Sequence, residues 1–185
     1  MSQDIAVQET PSVPPEPEYV RVVIPSRLGP LGVEFRHTAI SRLVVAPKGA
    51  ERRKYHPLSA FEDSDFLDEV FGRLSEYLAG ARRNLALETF VDPAEWDGFS
   101  RRVFRETGRV AYGKTKTYKE IAEAAGRPDA YRQVVAILER NPLPLLVPCH
   151  RVVPSKSGVG KWVGGVTKKK WLLKMEEEAA PTFVS

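Results

Sequence analysis

Residues 117–153 read TYKEIAEAAGRPDAYRQVVAILERNPLPLLVPCHRVV, and this stretch decides the fold of the second half of the chain. Thr117-Tyr118-Lys119-Glu120 is a capping box: the Thr117 hydroxyl can accept from the amide three residues on, while Glu120 reaches back. A short helix of small residues follows and ends at Gly126. Arg127-Pro128-Asp129 makes a tight turn, with Asp129 placed to cap a second helix from Ala130 to about Arg140. That helix stops at Asn141-Pro142, because the residue before a proline disfavours the α region. Two helices joined by a short glycine-containing turn are either a helix-turn-helix or an ordinary αα-hairpin.

Charge bears on that choice. Residues 1–98 carry 11 Lys/Arg against 16 Asp/Glu, whereas residues 99–176 carry 17 against 6, so the half holding the helix pair stands at +11. Such a surplus is the footprint of a polyanion binder, or else a solvated basic face beside an acidic partner domain. A chain of 185 residues with 42% apolar and 28% charged residues can bury a core, which excludes wholesale disorder. One cysteine, Cys149, excludes an internal disulfide framework and a multi-cysteine zinc site. With only three histidines no metal is expected. No apolar run approaches a membrane span, and the first residues lack a signal pattern, so a cytoplasmic or nuclear protein is expected.

Working outward from the helix pair, residues 1–18 are polar and proline-rich and read as a disordered tail. Tyr19–Ile24, Leu31–Phe35 and Ile40–Val45 are β-branched runs that read as an antiparallel meander, the first turn being Ser26–Pro30. Ala50–Ser59 is charged and loop-like. Leu67, Val70, Phe71, Leu74 and Leu78 predict an amphipathic helix over Asp63–Gly80, with Gly80 at its C-cap. Leu85–Val91 reads as one more strand. Trp96, Phe99, Val103 and Phe104 repeat at helical spacing, and Thr167–Glu177 is a last helix with Trp171, Leu172 and Met175 apolar.

The chemistry centres on Pro148-Cys149-His150-Arg151-Val152, which follows the apolar run Leu143–Val147. A lone cysteine after such a run is commonly a small core residue. Its neighbours argue otherwise: His150 can take the thiol proton directly or through a water, and Arg151 adds positive field, both favouring the reactive thiolate. Adjacent strand residues point to opposite faces, so Cys–His coupling needs an irregular backbone, which Pro148 favours, or a water bridge.

The pentapeptide PCHRV, preceded by Asn141-Pro142 and followed by Gly164-Gly165, resembles the O6-alkylguanine-DNA alkyltransferases, the methylated-DNA–protein-cysteine methyltransferases. The resemblance is strongest from Phe99 to Glu176 and collinear from Tyr19 to Val91, where Gly29-Pro30-Leu31-Gly32 is similar to the family's first hairpin. It implies an α+β fold: a small N-terminal antiparallel sheet with a helix, ribonuclease-H-like, over residues 19–91. A mostly helical, winged-helix-like active-site domain with the helix-turn-helix then spans 92–178. The resemblance does not extend to the last residues, and 179–185 read as a tail.

Carried over by resemblance, Cys149 is the acceptor thiolate that attacks the alkyl carbon on guanine O6. His150 acts through a water as its base, Glu176 holds the His150 tautomer, and Asn141 is the hinge asparagine. Arg132 enters the duplex in place of the extruded nucleotide, and Tyr118 packs against the 3′ phosphate of the target. Arg151 is a further DNA-binding residue. Val147, Pro148, Trp162, Val163 and Gly164 line the base pocket. The thioether product is stable, so each molecule acts once, as a monomer and without a cofactor, on double-stranded DNA carrying O6-alkylguanine.

Two positions depart from the family pattern. Val134–Leu138 is bulkier than the usual small stretch after the arginine, and Trp162-Val163 stands where tyrosine and serine or alanine are usual. Val163 is expected to narrow the pocket against bulky adducts. The competing readings are a damage-sensing DNA-binding protein that transfers nothing, against which Cys149 stands, and a cysteine hydrolase, for which nothing specific argues.

Overall fold

The computed structural model describes residues 20–36, 39–60, 64–87 and 96–179. The N-terminal tail, residues 180–185 of the C-terminal tail, the expected strand's last residues 88–91 and the expected domain boundary at 91/92 lie outside the described residues, while Ala179 closes the last helix.

Strands β1 (Val20–Ile24), β2 (Leu31–Arg36) and β3 (Ala39–Val45) form the expected antiparallel meander. The β1–β2 turn closes through the Gly29 amide on the Ser26 carbonyl at 2.9 Å, with Gly29 at φ 85°, a conformation that penalises any side chain. Residues 50–59, read as a loop, instead supply a short helix α1 (Gly49–Arg52) and a two-residue strand β4 (His56–Pro57). β4 pairs parallel to β1, so the sheet runs β3-β2-β1-β4.

Helix α2 (Asp65–Leu78) starts where Ser64 accepts from the Leu67 amide, and it buries Leu67, Val70, Phe71, Leu74, Tyr77 and Leu78. Phe71 meets Phe35 of β2 edge-to-face, with ring centroids 6.5 Å apart. Each such apolar side chain, fully buried, contributes about 1.5–3 kcal/mol. The strand expected from Leu85 is not formed at residues 85–87: Ala86 takes φ 46°, which breaks an extended run.

In the second half, α3 (Gly98–Gly108) is capped by Asp97, whose carboxylate accepts from the Ser100 amide at 2.7 Å. Trp96 therefore precedes the helix and packs edge-to-face on Phe104. The capping box of α4 (Tyr118–Ala124) forms in full. Asp129 does not cap α5 (Tyr131–Glu139); a 3-10 turn over Pro128–Ala130 leads into the helix instead. The run Leu143–Val147 is not a strand, since Leu145 sits at φ 78° and the Val147 amide bonds the Leu143 carbonyl.

Two features bring the site together. Strand β5 (Lys116–Thr117), just ahead of α4, pairs parallel with β6 (Val152–Val153), just after Cys149. Helix α6 (Val166–Ala179) then packs back with Lys169, Leu172 and Glu176 on its buried stripe, while Trp171 and Met175 are only half-buried. The apolar side chains of both halves form one continuous core, from Val22 to Leu172.

Candidate active site

Cys149 opens a 3-10 turn, Cys149–Arg151, so the backbone after Pro148 is irregular, as expected. The thiol is buried, 3% exposed. Its sulfur accepts two hydrogen bonds, from Asn141 Nδ2 at 3.1 Å and from the Trp162 indole Nε1 at 3.2 Å. Burial pushes the Cys149 pKa up; the two donors and the Lys169 charge pull it down without reversing the shift. The resting sulfur therefore keeps its proton and needs a base.

Asn141 ties α5 to the cysteine turn. Its Nδ2 also donates to the Val147 carbonyl at 2.9 Å, and its Oδ1 accepts from the Leu143 amide at 3.0 Å. The next carbonyl, that of Pro142, accepts from the Leu43 amide of edge strand β3 at 2.8 Å. The N-terminal sheet is thus bonded directly to the chain beside Asn141.

His150 is fully buried, and its Nε2 lies 2.9 Å from Glu176 Oε1. Burial disfavours the Glu176 charge, but hydrogen bonds from His150 and Arg151 outweigh it and hold the carboxyl at about 2. An ionised carboxylate can only accept, so Nε2 carries the ring proton and Nδ1 is left with a free lone pair. Nδ1 is buried and has no partner among the described residues. Burial also lowers the His150 pKa, with Arg151 and Lys169 acting in the same direction against Glu176, so the ring is neutral and basic at Nδ1.

Arg151, expected as a DNA-binding residue, is placed inside the cluster. It is 7% exposed, and its donors are spent inside: Nε to Glu176 Oε2 at 2.8 Å, Nη2 to Oε1 at 2.9 Å and Nη1 to the Val110 carbonyl at 2.7 Å. A guanidinium so engaged fixes Glu176 and is turned inward rather than toward solvent.

Two residues that sequence reasoning missed join the cluster. Tyr77 of α2, 1% exposed, donates its hydroxyl to Glu176 Oε1 and lies 3.4 Å from His150 Nε2. Lys169 is fully buried, with Nζ bonded to the Val152 carbonyl at 2.6 Å and 5.8 Å from the Tyr118 ring centre. Burial brings its pKa down to about 8, against the pull of the Cys149 charge. The available signal was spacing, since Lys169 shares a helical stripe with Leu172 and Glu176.

The expected pocket residues separate into three places. Trp162 lies at the sulfur, with Gly164 against its ring. Val147 and Pro148 line a cavity of about 390 Å³ at the seam between residues 83–87 and 108–112. Val163 is 40% exposed and borders a groove with Arg42, Asn141 and Pro142. Tyr118 lines an apolar cleft of about 550 Å³ with Tyr131, Val135, Pro154 and Gly160.

Arg132 is exposed on α5, its guanidinium 5.5 Å over the Tyr131 ring. Of the bulky residues that follow, Val134, Ile137 and Leu138 are buried and Val135 borders the Tyr118 cleft, while the outward residue one turn beyond Arg132 is Ala136. No group of three or more potential metal ligands occurs among the described residues, and no helix among them is long and apolar enough to cross a membrane.

Residues 98–178 match the sequence model of the 6-O-methylguanine DNA methyltransferase DNA-binding domain. A methylated-DNA–protein-cysteine methyltransferase of Methanosarcina barkeri is 32% identical over 155 residues, 84% of this chain and 95% of that one. Its counterpart in Mycobacterium leprae is 31% identical over 86% of this chain and 93% of the relative. Among solved structures, the Mycobacterium tuberculosis O6-methylguanine methyltransferase superposes with a TM-score of 0.75 at 27% identity, covering 89% of this chain and 96% of that one. The same organism's protein in complex with DNA gives 0.73 at 28% identity, covering 88% and 95%. The matched domain contains Cys149, His150 and Glu176, and the relatives align along nearly their whole length, so the chain belongs to the methylated-DNA–protein-cysteine methyltransferase family.

Proposed function

We propose that this chain repairs O6-alkylguanine, chiefly O6-methylguanine, in duplex DNA by moving the alkyl group irreversibly onto Cys149. The observation that carries the reading is the single buried thiol followed by a neutral histidine whose free Nδ1 is set by an ionised glutamate. His150 Nδ1 takes the thiol proton through one bridging water. The thiolate then attacks the alkyl carbon in line; the S–C bond forms and the C–O6 bond breaks. Guanine leaves with that electron pair and gains one proton. A thioether is not hydrolysed, so one molecule acts once.

The guanine O6 lies inside the base stack, so the base must be flipped out before attack. Exposed Arg132 would fill the gap as a flat, permanently charged group, and Ala136 beside it permits a close approach to the minor groove. Tyr118 at the start of α4 would press on the 3′ phosphate of the extruded nucleotide. The +11 charge of residues 99–176 supplies non-specific backbone affinity.

The sheet order β3-β2-β1-β4, antiparallel but for a parallel last strand, supports a ribonuclease-H-like N-terminal domain over 19–91. The helix pair followed by the β5–β6 pairing supports a winged-helix-like domain over 92–178. The protein would work as a cytoplasmic monomer.

The test is intact mass after incubation with a duplex containing O6-methylguanine. One added methyl on Cys149, absent in Cys149→Ala with DNA affinity retained, is the expected result. Repeated turnover by one molecule, or a methyl mapped elsewhere, would overturn the reading.

A further inference from the structure

The Trp162 indole lies against the reacting atom. Its N–H donates to Cys149 Sγ at 3.2 Å, its ring meets the His150 ring edge-on at 6.1 Å between centres, and only 8% of the residue is exposed. The loop is built to let the ring lie there. A Cβ on Gly164 would sit 2.1 Å from the indole Cζ3, so only glycine allows the ring to rest on that backbone. A tight turn closes beneath it, with the Gly165 amide on the Trp162 carbonyl at 2.9 Å and Gly165 at φ 93°.

With Asn141 supplying the second donor, the sulfur is 3% exposed. An alkyl carbon approaching in line needs an open face on the sulfur. We propose that Trp162 is a donor-bearing cap on the Cys149 sulfur: the indole covers the thiol at rest, and its ring must swing aside before an electrophile can be attacked. The proposal deepens the reading of Cys149 as the acceptor and names the residue controlling access to it.

The cap suits a protein whose single thiol is used once. A small electrophile or oxidant meeting an open thiolate would spend the molecule without repairing DNA. A base delivered by the helix-turn-helix can displace the indole because it brings its own stacking surface. The indole N–H also favours the thiolate over the thiol.

The test needs no DNA, so it separates failure of the cap from failure of the proposed repair reaction. The full-length protein is treated with iodoacetamide across pH and followed by intact mass. Cys149 is the only cysteine, so one added carbamidomethyl group reports it alone. In that reaction the S–C bond forms, iodide leaves and the thiol proton passes to solvent. Two variants are compared with the wild type.

Trp162→Phe keeps a covering ring but loses the N–H. Its high-pH plateau should stay within about twofold, while the midpoint rises by about half a unit to one unit, the effect of losing one donor to the charged form. Trp162→Ala should raise the plateau about tenfold or more, as expected when a covering group is removed from a thiolate. The other charged or titratable groups at the sulfur, His150 beside it, Lys169 from α6 and Tyr118 from α4, are unchanged in all three proteins. If Trp162→Ala does not fold, Trp162→Phe still decides whether the N–H acts on the sulfur. A Trp162→Phe midpoint equal to the wild type, or a Trp162→Ala plateau no higher than it, would overturn the proposal.

Discussion

Glu176 and Cys149, the two ends of the proposed proton path through His150, have contrasting surroundings. The carboxylate collects five hydrogen bonds, from Tyr77, His150, the Gly113 amide and two nitrogens of Arg151. The sulfur receives two, both from neutral groups. One end is locked as an anion across the working pH range; the other is left protonated by burial. The contrast explains how a base can be oriented permanently while the nucleophile stays quiet until it is needed. Had the sulfur been given the carboxylate's density of donors, its thiolate would be more abundant but less nucleophilic.

The largest effect should follow from disturbing the locked end. Glu176→Gln leaves the Arg151 guanidinium buried without its counter-charge, which costs about 3–5 kcal/mol. It also frees the His150 tautomer, and losing an oriented general base lowers transfer by about a hundredfold or more. Urea unfolding and the second-order transfer rate measure the two. The acid dependence has a defined sign. The folded pKa of Glu176, about 2, lies below its ordinary value of 4.5. Its contribution to stability is therefore complete above about pH 4.5 and is lost as the pH falls toward 2. That part of the acid-induced loss should be missing from Glu176→Gln; an unchanged acid profile would show that another group carries it.

Much of this arrangement was legible in the sequence, and the misses share a cause. The meander, α2, the capping box and the Cys149 segment are all signalled locally, by alternation, helical spacing or cap chemistry. Strand β4 is two residues long and contains Pro57, too short for any pattern, and exists only because β1 has an edge to offer. Lys169 sits inside the run Lys168-Lys169-Lys170, which reads as a solvated face; its Nζ bonds the Val152 and Lys161 carbonyls, both outside its own helix. Arg151 beside a cysteine in a basic half reads as a phosphate contact, yet its partner is 25 residues downstream. Tyr77 continues an apolar helical stripe and reads as core, and nothing nearby announces that its hydroxyl reaches Glu176. Local chemistry is written in neighbours, whereas the partners of this strand and these three residues are set by packing.

Tyr77→Phe sharpens the comparison at the locked end. The Tyr77 hydroxyl and His150 share one oxygen, Glu176 Oε1, and Tyr77 is a side chain that the N-terminal half contributes to the cluster. Without it the carboxylate is less satisfied and holds a protonated imidazole more strongly, so the His150 pKa rises from its depressed value. The acid limb of the pH–rate profile for transfer should then move to higher pH, by about half a unit, with a stability loss of about 1 kcal/mol. A purely structural role would lower the rate without moving the limb.

The smallest effect should come from Val163, next to the cap but outside both surroundings. Sequence reasoning assigns it the narrowing of the pocket, because serine or alanine is usual there and valine adds methyl groups beside the base. In the structure the bulk at the sulfur is Trp162, while Val163 is 40% exposed and borders the Arg42–Pro142 groove. An exposed valine removes little from water, and exchanging it for serine should change stability by no more than about 0.5 kcal/mol. For the same reason Val163→Ser should leave the second-order rates with O6-methylguanine DNA and with free O6-benzylguanine within about twofold of the wild type, since about 0.4 kcal/mol of barrier corresponds to that factor. The ratio of the two rates is the sharper quantity, because a loss common to both cancels in it. A benzyl rate that rises about tenfold while the methyl rate holds would mean that Val163 turns toward the base once the indole has swung out. The pocket wall would then be shared by both residues, and the loop would have to move as a unit rather than at Trp162 alone.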